Sequence, residues 1–120
     1  MDILVIDYPN SLNWFQPDRL LMITDKYKII LLDNEGATDP NEAKKYNIDV
    51  IDVSNPEDPP YNIIKIKKAL IDIKNKYPND NISFYSPFWF RINAVLELGI
   101  KSYHCLKLNE YYNKAIGRLK

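Results

Sequence analysis

Glycine is scarce in this chain: there are three in 120 residues, and none falls in a G-x-G-x-x-G or P-loop arrangement. A glycine-rich phosphate loop of the dinucleotide-binding or P-loop kind is thereby absent, because such loops need glycine where the main chain closes on the anion. Cysteine and histidine occur once each, as Cys105 and His104. One cysteine rules out a disulfide within the chain, and a Cys/His zinc centre needs more ligands. A reducing cytoplasm is the expected compartment. No apolar run approaches the ~18 residues of a membrane span, and Met1-Asp2 leads into a strand rather than a basic signal region. Charge of one sign is also lacking, since sixteen basic residues offset sixteen acidic ones. The chain therefore has no bulk attraction for nucleic acid. Lys101, Lys107, Lys114, Arg118 and Lys120 outnumber Glu110 in the last segment, which reads as a solvated basic helix face.

What remains is a foldable chain, 46% hydrophobic and 27% charged, of a length that suits one domain over residues 1–120. Five short apolar runs read as strands: 3–7, 28–32, 49–53, 82–86 and 100–106. Helical patterns alternate with them. A stretch around Ser11–Thr24 is interrupted by Pro17. Asp39-Pro40-Asn41-Glu42-Ala43 looks like a capped helix start with proline at its first position. Ile63, Ile66, Leu70 and Ile73 fall at helical spacing, with Ile64 and Ile71 expected to widen the stripe and lysines opposite. A helix from about Pro87 to Leu98 ends at Gly99, a C′ glycine, and Asn109 caps a last helix, Glu110–Leu119. Strict alternation implies a parallel sheet covered on both faces. The expectation is a three-layer α/β/α sandwich with a five-stranded parallel sheet of flavodoxin-like order 2-1-3-4-5.

Two of the strands end in acids, Ile3-Leu4-Val5-Ile6-Asp7 and Asp49-Val50-Ile51-Asp52. With Pro56 after the second, they resemble the first and third strands of the receiver domain of bacterial and archaeal response regulators, and the resemblance extends over nearly the whole chain. Asp7 matches the first acid of that family's magnesium-binding pair, and Asp52 matches its phosphoacceptor. Ser86 matches the switch Ser/Thr and Tyr103 the aromatic switch residue, after Ala94–Lys101. The resemblance thus implies a magnesium site at Asp7 and Asp52. Tyr8 stands where the family has a second acid, and Leu106 or Lys107 where it has Lys-Pro. Losing a carboxylate and a phosphate-pairing lysine weakens both the cation site and the phosphoryl contact.

Simpler readings accompany each residue. Asp52 could only cap its loop through backbone amides, and Asp7 before Tyr8-Pro9-Asn10 could only form a turn. Ser86 before Pro87 suits a helix cap. The run Phe84, Tyr85, Phe88, Trp89, Phe90 suits packing better than base stacking, with only Arg91 as a basic neighbour. His104 and Cys105 point to opposite faces of a strand, so they form no nucleophile–base pair; His104 reads as a surface or edge residue. The chain reads as a degenerate receiver-like regulatory domain rather than an enzyme. Its partner would be a protein or a second copy of itself, contacted through Trp89, Tyr103 and Tyr111. A second reading is a small flavodoxin-like or Rossmann-like enzyme using Asp7, Asp52 and Ser86 on a phosphate-bearing substrate. A third is a viral or plasmid accessory protein.

Overall fold

Lys28 to Leu32 and Ile3 to Ile6 are almost uninterrupted apolar runs, and such runs need cover on both pleat faces and on both edges. The computed structural model, which describes residues 2–8, 27–34, 39–45, 47–54 and 63–104, gives them that cover. Its strands are β1 (Asp2–Tyr8), β2 (Tyr27–Asp33), β3 (Ile48–Asp52), β4 (Asn81–Ser86) and β5 (Lys101–His104). All neighbouring pairs are parallel. Three helices alternate with them: α1 (Pro40–Lys44), α2 (Ile63–Lys76) and α3 (Trp89–Leu96). The α/β class and the five-stranded all-parallel sheet are as the sequence implies. The helices anticipated at Ser11–Thr24 and Glu110–Leu119 lie outside the described residues, as do Cys105, Tyr111 and the side chain of Tyr8.

The strand order departs from expectation. It is β3-β2-β1-β4-β5 rather than 2-1-3-4-5, so β2 separates β1 from β3. The physical reason is legible in burial. Six of the seven β2 residues are buried, whereas β3 is buried only at Ile48 and ends exposed at Asp52. A strand carrying Asp49 and Asp52 tolerates an edge, where charge also discourages unwanted pairing; Ile29-Ile30-Leu31-Leu32 does not. Asp49 reaches Lys28 of β2 at 3.1 Å. Strand order reverses between β1 and β4, which makes their carboxyl ends the switch point of the sheet.

Right-handed crossovers put α2 and α3 on one face of this order and α1 on the other. Ile3, Val5, Ile30, Leu32 and Phe84 form a single core with Ile66, Ala69, Leu70 and Ile73 of α2 and Ile92 and Val95 of α3. Each such aliphatic burial contributes roughly 1.5–3 kcal/mol. Ile64 and Ile71 do not widen the α2 stripe: they are 73% and 43% exposed, because at 100° per residue they project away from the buried arc. Leu4, Ile6, Ile29, Leu31 and Tyr85 are buried on the opposite pleat.

Helix ends follow local chemistry. The Asp39 carboxylate accepts the Asn41 N–H at 2.9 Å, with Pro40 opening α1. Gly99, two residues past the Glu97 cap of α3 and so one beyond the expected C′ position, has φ +73°, a left-handed conformation that glycine adopts without strain. Among the described residues no helix is long and apolar enough to cross a membrane.

Candidate functional site

The pleat carries a polar row onto the carboxyl edge of the sheet. Asp7 continues the face of Ile3 and Val5, Asn34 that of Ile30 and Leu32, and Ser86 and His104 that of Phe84. The register agrees, since Ile6 pairs with Tyr85 and Ser86 with His104. These residues come from the ends of four different strands. Arg91, in the first turn of α3, descends onto them.

The result is a closed network around one carboxylate. Arg91 Nη1 donates to Asp7 Oδ1 at 2.7 Å and to Asn34 Oδ1 at 2.7 Å. Asn34 Nδ2 donates to Asp7 Oδ1 at 2.8 Å, and Ser86 Oγ donates to Asp7 Oδ2 at 2.6 Å. Ser86 Oγ in turn accepts the Phe88 N–H at 3.0 Å. Asp7 and Ser86 are fully buried and Arg91 is 3% exposed. Taking both charges from water costs several kcal/mol per ion, which their contact offsets only when the remaining polar atoms are also satisfied. Here Asn34 and Ser86 supply that satisfaction. Phe88 covers the guanidinium at 4.5 Å, adding a cation–π contact.

Beside this network, His104 Nε2 lies 3.0 Å from the Pro87 carbonyl oxygen. A carbonyl only accepts, so Nε2 carries the proton. The Trp89 indole stacks on the imidazole, with centroids 4.2 Å apart and planes 24° apart. Trp89 remains 61% exposed.

Comparison with protein-family models, curated proteins and solved structures finds no match.

The arrangement must therefore be judged on its own chemistry. Asp7 and Asp52 are not brought together. Asp7 is level with Leu32, and Leu32 with Ile51, so Asp52 lies one residue further along, on the opposite pleat and two strands away. Two strand spacings amount to ~10 Å. Asp33, level with Asp52, shares that other pleat. The magnesium site implied at Asp7 and Asp52 thus lacks its converging pair, and Asp7 already accepts three hydrogen bonds within an ion pair. Among the described residues no group of three or more His, Cys, Asp and Glu side chains is placed to hold a metal ion.

Asp52 instead closes a turn. Its Oδ1 accepts the Ser54 N–H at 2.8 Å and the Ser54 hydroxyl at 2.6 Å. The Ser54 hydroxyl, then the Ser54 amide, hold its carboxyl below the usual aspartate range; the Lys65 charge adds to this and slight burial opposes it. Lys65 Nζ also donates to the Ser54 carbonyl.

The two switch positions separate as well. Ser86 faces α3, whereas Tyr103 stacks on buried Tyr85 at 4.9 Å on the opposite pleat. Trp89 and Tyr103, expected to share a contact surface, therefore lie on different sides of the sheet. Ser86 does not cap α3: Phe88 is the cap residue and offers no side-chain cap bond. Sequence reasoning did not single out Asn34, and it underrated Arg91 and His104. The usable signal was Arg91 in an otherwise apolar helix, Trp89–Leu96, where only Asn93 is also polar. Away from this edge, a cavity of about 290 Å³ runs along edge strand β3 between Pro40 and Lys44 of α1 and Asp72 and Lys76 of α2. It contains none of the network residues.

Proposed function

We propose that this chain is a small-molecule-binding α/β domain whose ligand occupies the crevice above the carboxyl ends of β1 and β4, and that the ligand carries a phosphate group. The observation that carries this reading is the buried Asp7–Arg91 pair, tied by Asn34 and Ser86 at the switch point of the sheet. Open parallel sheets bind ligands at such points, and here that point carries a buried charge pair with two further polar partners. Phosphate is favoured because β4 passes through only Pro87 and Phe88 into α3, whose cap residue has no side-chain cap. The positive end of that helix therefore faces the crevice. Arg91 is held at the same place, its charge balanced by Asp7.

The test is an amide-resolved NMR titration of the whole chain with inorganic phosphate, ribose 5-phosphate and a nucleoside monophosphate. Saturable shifts centred on Asn34, Ser86, Phe88 and His104 are expected. Absence of saturable shifts at millimolar probe, or shifts confined to the β3 groove, would overturn the proposal.

A second reading, a regulatory domain that binds a protein or a second copy of itself, is favoured by exposed apolar side chains on α2 and α3. Ile64 is 73% exposed and Trp89 61%, and exposed apolar groups rimmed by charge are contact marks. It predicts a dimer by light scattering at micromolar concentration that charge substitutions at Ile64 or Trp89 abolish. A monomer with unchanged mass in both variants would remove this reading.

A further inference from the structure

We infer that the exposed face of the Trp89 indole is a subsite for a planar aromatic ring, so that the ligand of the switch-point crevice joins such a ring to a phosphate group, as a nucleoside monophosphate does. This deepens the crevice reading above and rests on it.

An indole is the largest apolar side chain, and leaving 61% of it in water is unfavourable unless something uses the surface. Mobility is not the explanation, because Trp89 is braced. One face lies on His104 at 4.2 Å, and His104 is itself pinned through Nε2 to the Pro87 carbonyl at 3.0 Å. A rigid ring with one covered face and one open face loses little freedom when a second ring stacks on it. Every base has a π-face, so such a platform needs no glycine-rich loop and no hydrogen-bond code. The sequence favours packing over base stacking for the aromatic run 84–90, for want of basic neighbours, and offers Trp89 as a protein contact; the bracing and exposure of Trp89 favour stacking instead.

The position fits the same ligand. Trp89 is the first residue of α3, three positions after Ser86, and its support His104 pairs in register with Ser86. A ring on Trp89 therefore stands at the same carboxyl edge as the α3 N-terminus, one strand from the Asp7–Arg91 network. The Nε2–H of His104 is committed to Pro87, which leaves Nδ1 as the ring's second nitrogen. Nδ1 has no hydrogen-bond partner among the described residues, and it is available to a ligand hydroxyl.

The experiment compares adenosine monophosphate with ribose 5-phosphate on the whole chain, following the Trp89 indole N–H by NMR and affinity by calorimetry. Adenosine monophosphate should bind at least roughly tenfold tighter, the value of one stacked base, and should shift the Trp89 indole signal. Trp89→Ala should erase that advantage while leaving ribose 5-phosphate affinity unchanged, and Trp89→Phe should retain part of it. Trp89 is exposed, so both variants should keep the wild-type circular dichroism. Equal binding of the two probes, unmoved by Trp89→Ala, would overturn the ring subsite and leave the crevice reading intact. Failure of both probes to bind would overturn the two together. A tighter nucleotide whose shifts spare Trp89 would also overturn the subsite.

Discussion

Asp7 and Asp52 end apolar strands of similar pattern, yet the molecule uses them in opposite ways. Asp7 is fully buried, accepts three side-chain hydrogen bonds and neutralises Arg91. Asp52 is exposed and folds its carboxylate back onto Ser54 two residues on. Neither the strand nor the acid distinguishes them. Their neighbours do: Asp7 lies on the central strand at the switch point beneath an arginine from α3, and Asp52 lies on an edge strand facing water. A strand-end acid becomes part of a site only where sheet order and a covering helix bring it partners.

The sharpest way to break this comparison is to remove one partner from each aspartate. Arg91→Met leaves a buried carboxylate without its counter-ion and should cost about 3–5 kcal/mol of stability, read as a lower urea midpoint at unchanged slope. Asp7→Leu in the Arg91→Met background should recover much of that loss, since an apolar pair of similar volume is often neutral. A loss below about 1 kcal/mol in Arg91→Met would show that Asp7 is in practice solvated, like Asp52.

A smaller effect is expected one hydrogen bond away. Ser86→Ala deletes the donor to Asp7 Oδ2 and the acceptor of the Phe88 amide. A hydrogen bond to a charged group contributes about 1.5–3 kcal/mol, so the variant should lie between Arg91→Met and any change at Asp52. Ser54→Ala, the matching deletion around Asp52, should cost about 0.5 kcal/mol or less because water replaces the hydroxyl. Equal losses at the two positions would abolish the distinction.

Smaller still is the pH effect at Asp52. Its carboxyl is held below the ordinary aspartate value by Ser54. A depressed group stabilises the fold above its unfolded value of roughly 3.9, and that contribution disappears as pH falls through the folded value. The wild-type advantage over Asp52→Asn should therefore be present at neutral pH and vanish in acid. It should not exceed about 0.5 kcal/mol, given solvent screening. An advantage that grows on acidification would reverse the assignment.

How much of this the sequence disclosed depends on the range of the interaction. Local signals were readable: the Asp39-Pro40 start of α1, Gly99 after α3, and the buried spacing of Ile66, Leu70 and Ile73 each depend on a few adjacent residues. Strand order was not, although burial shows the available clue. The apolar β2 asks for an interior place and the charged β3 accepts an edge, whereas the flavodoxin-like order expected from the alternation places the third strand beside the first. The candidate site fell between these cases. Asp7 and Ser86 stood out as strand-end polar residues, but Asn34 and Arg91 join them across 27 and 84 residues. Only the fold supplies that convergence.

The smallest expected effect is none at all. If Asp52 were a working phosphoacceptor, a cation held by neighbouring acids would be needed to screen the incoming phosphoryl oxygens. Asp7 lies on the other pleat of a non-adjacent strand and is committed to Arg91, and Lys65, near Asp52, donates to the Ser54 carbonyl. Incubation with acetyl phosphate and magnesium should leave Asp52 essentially unlabelled, as judged by intact mass and hydroxylamine lability. Asp52→Asn should give the same trace as wild type. Stoichiometric, hydroxylamine-labile phosphate on Asp52 would mean that its exposed position recruits cation ligands of its own. The two strand-end aspartates would then have to be regarded as two sites, with the chemistry at Asp52 and a structural ion pair at Asp7.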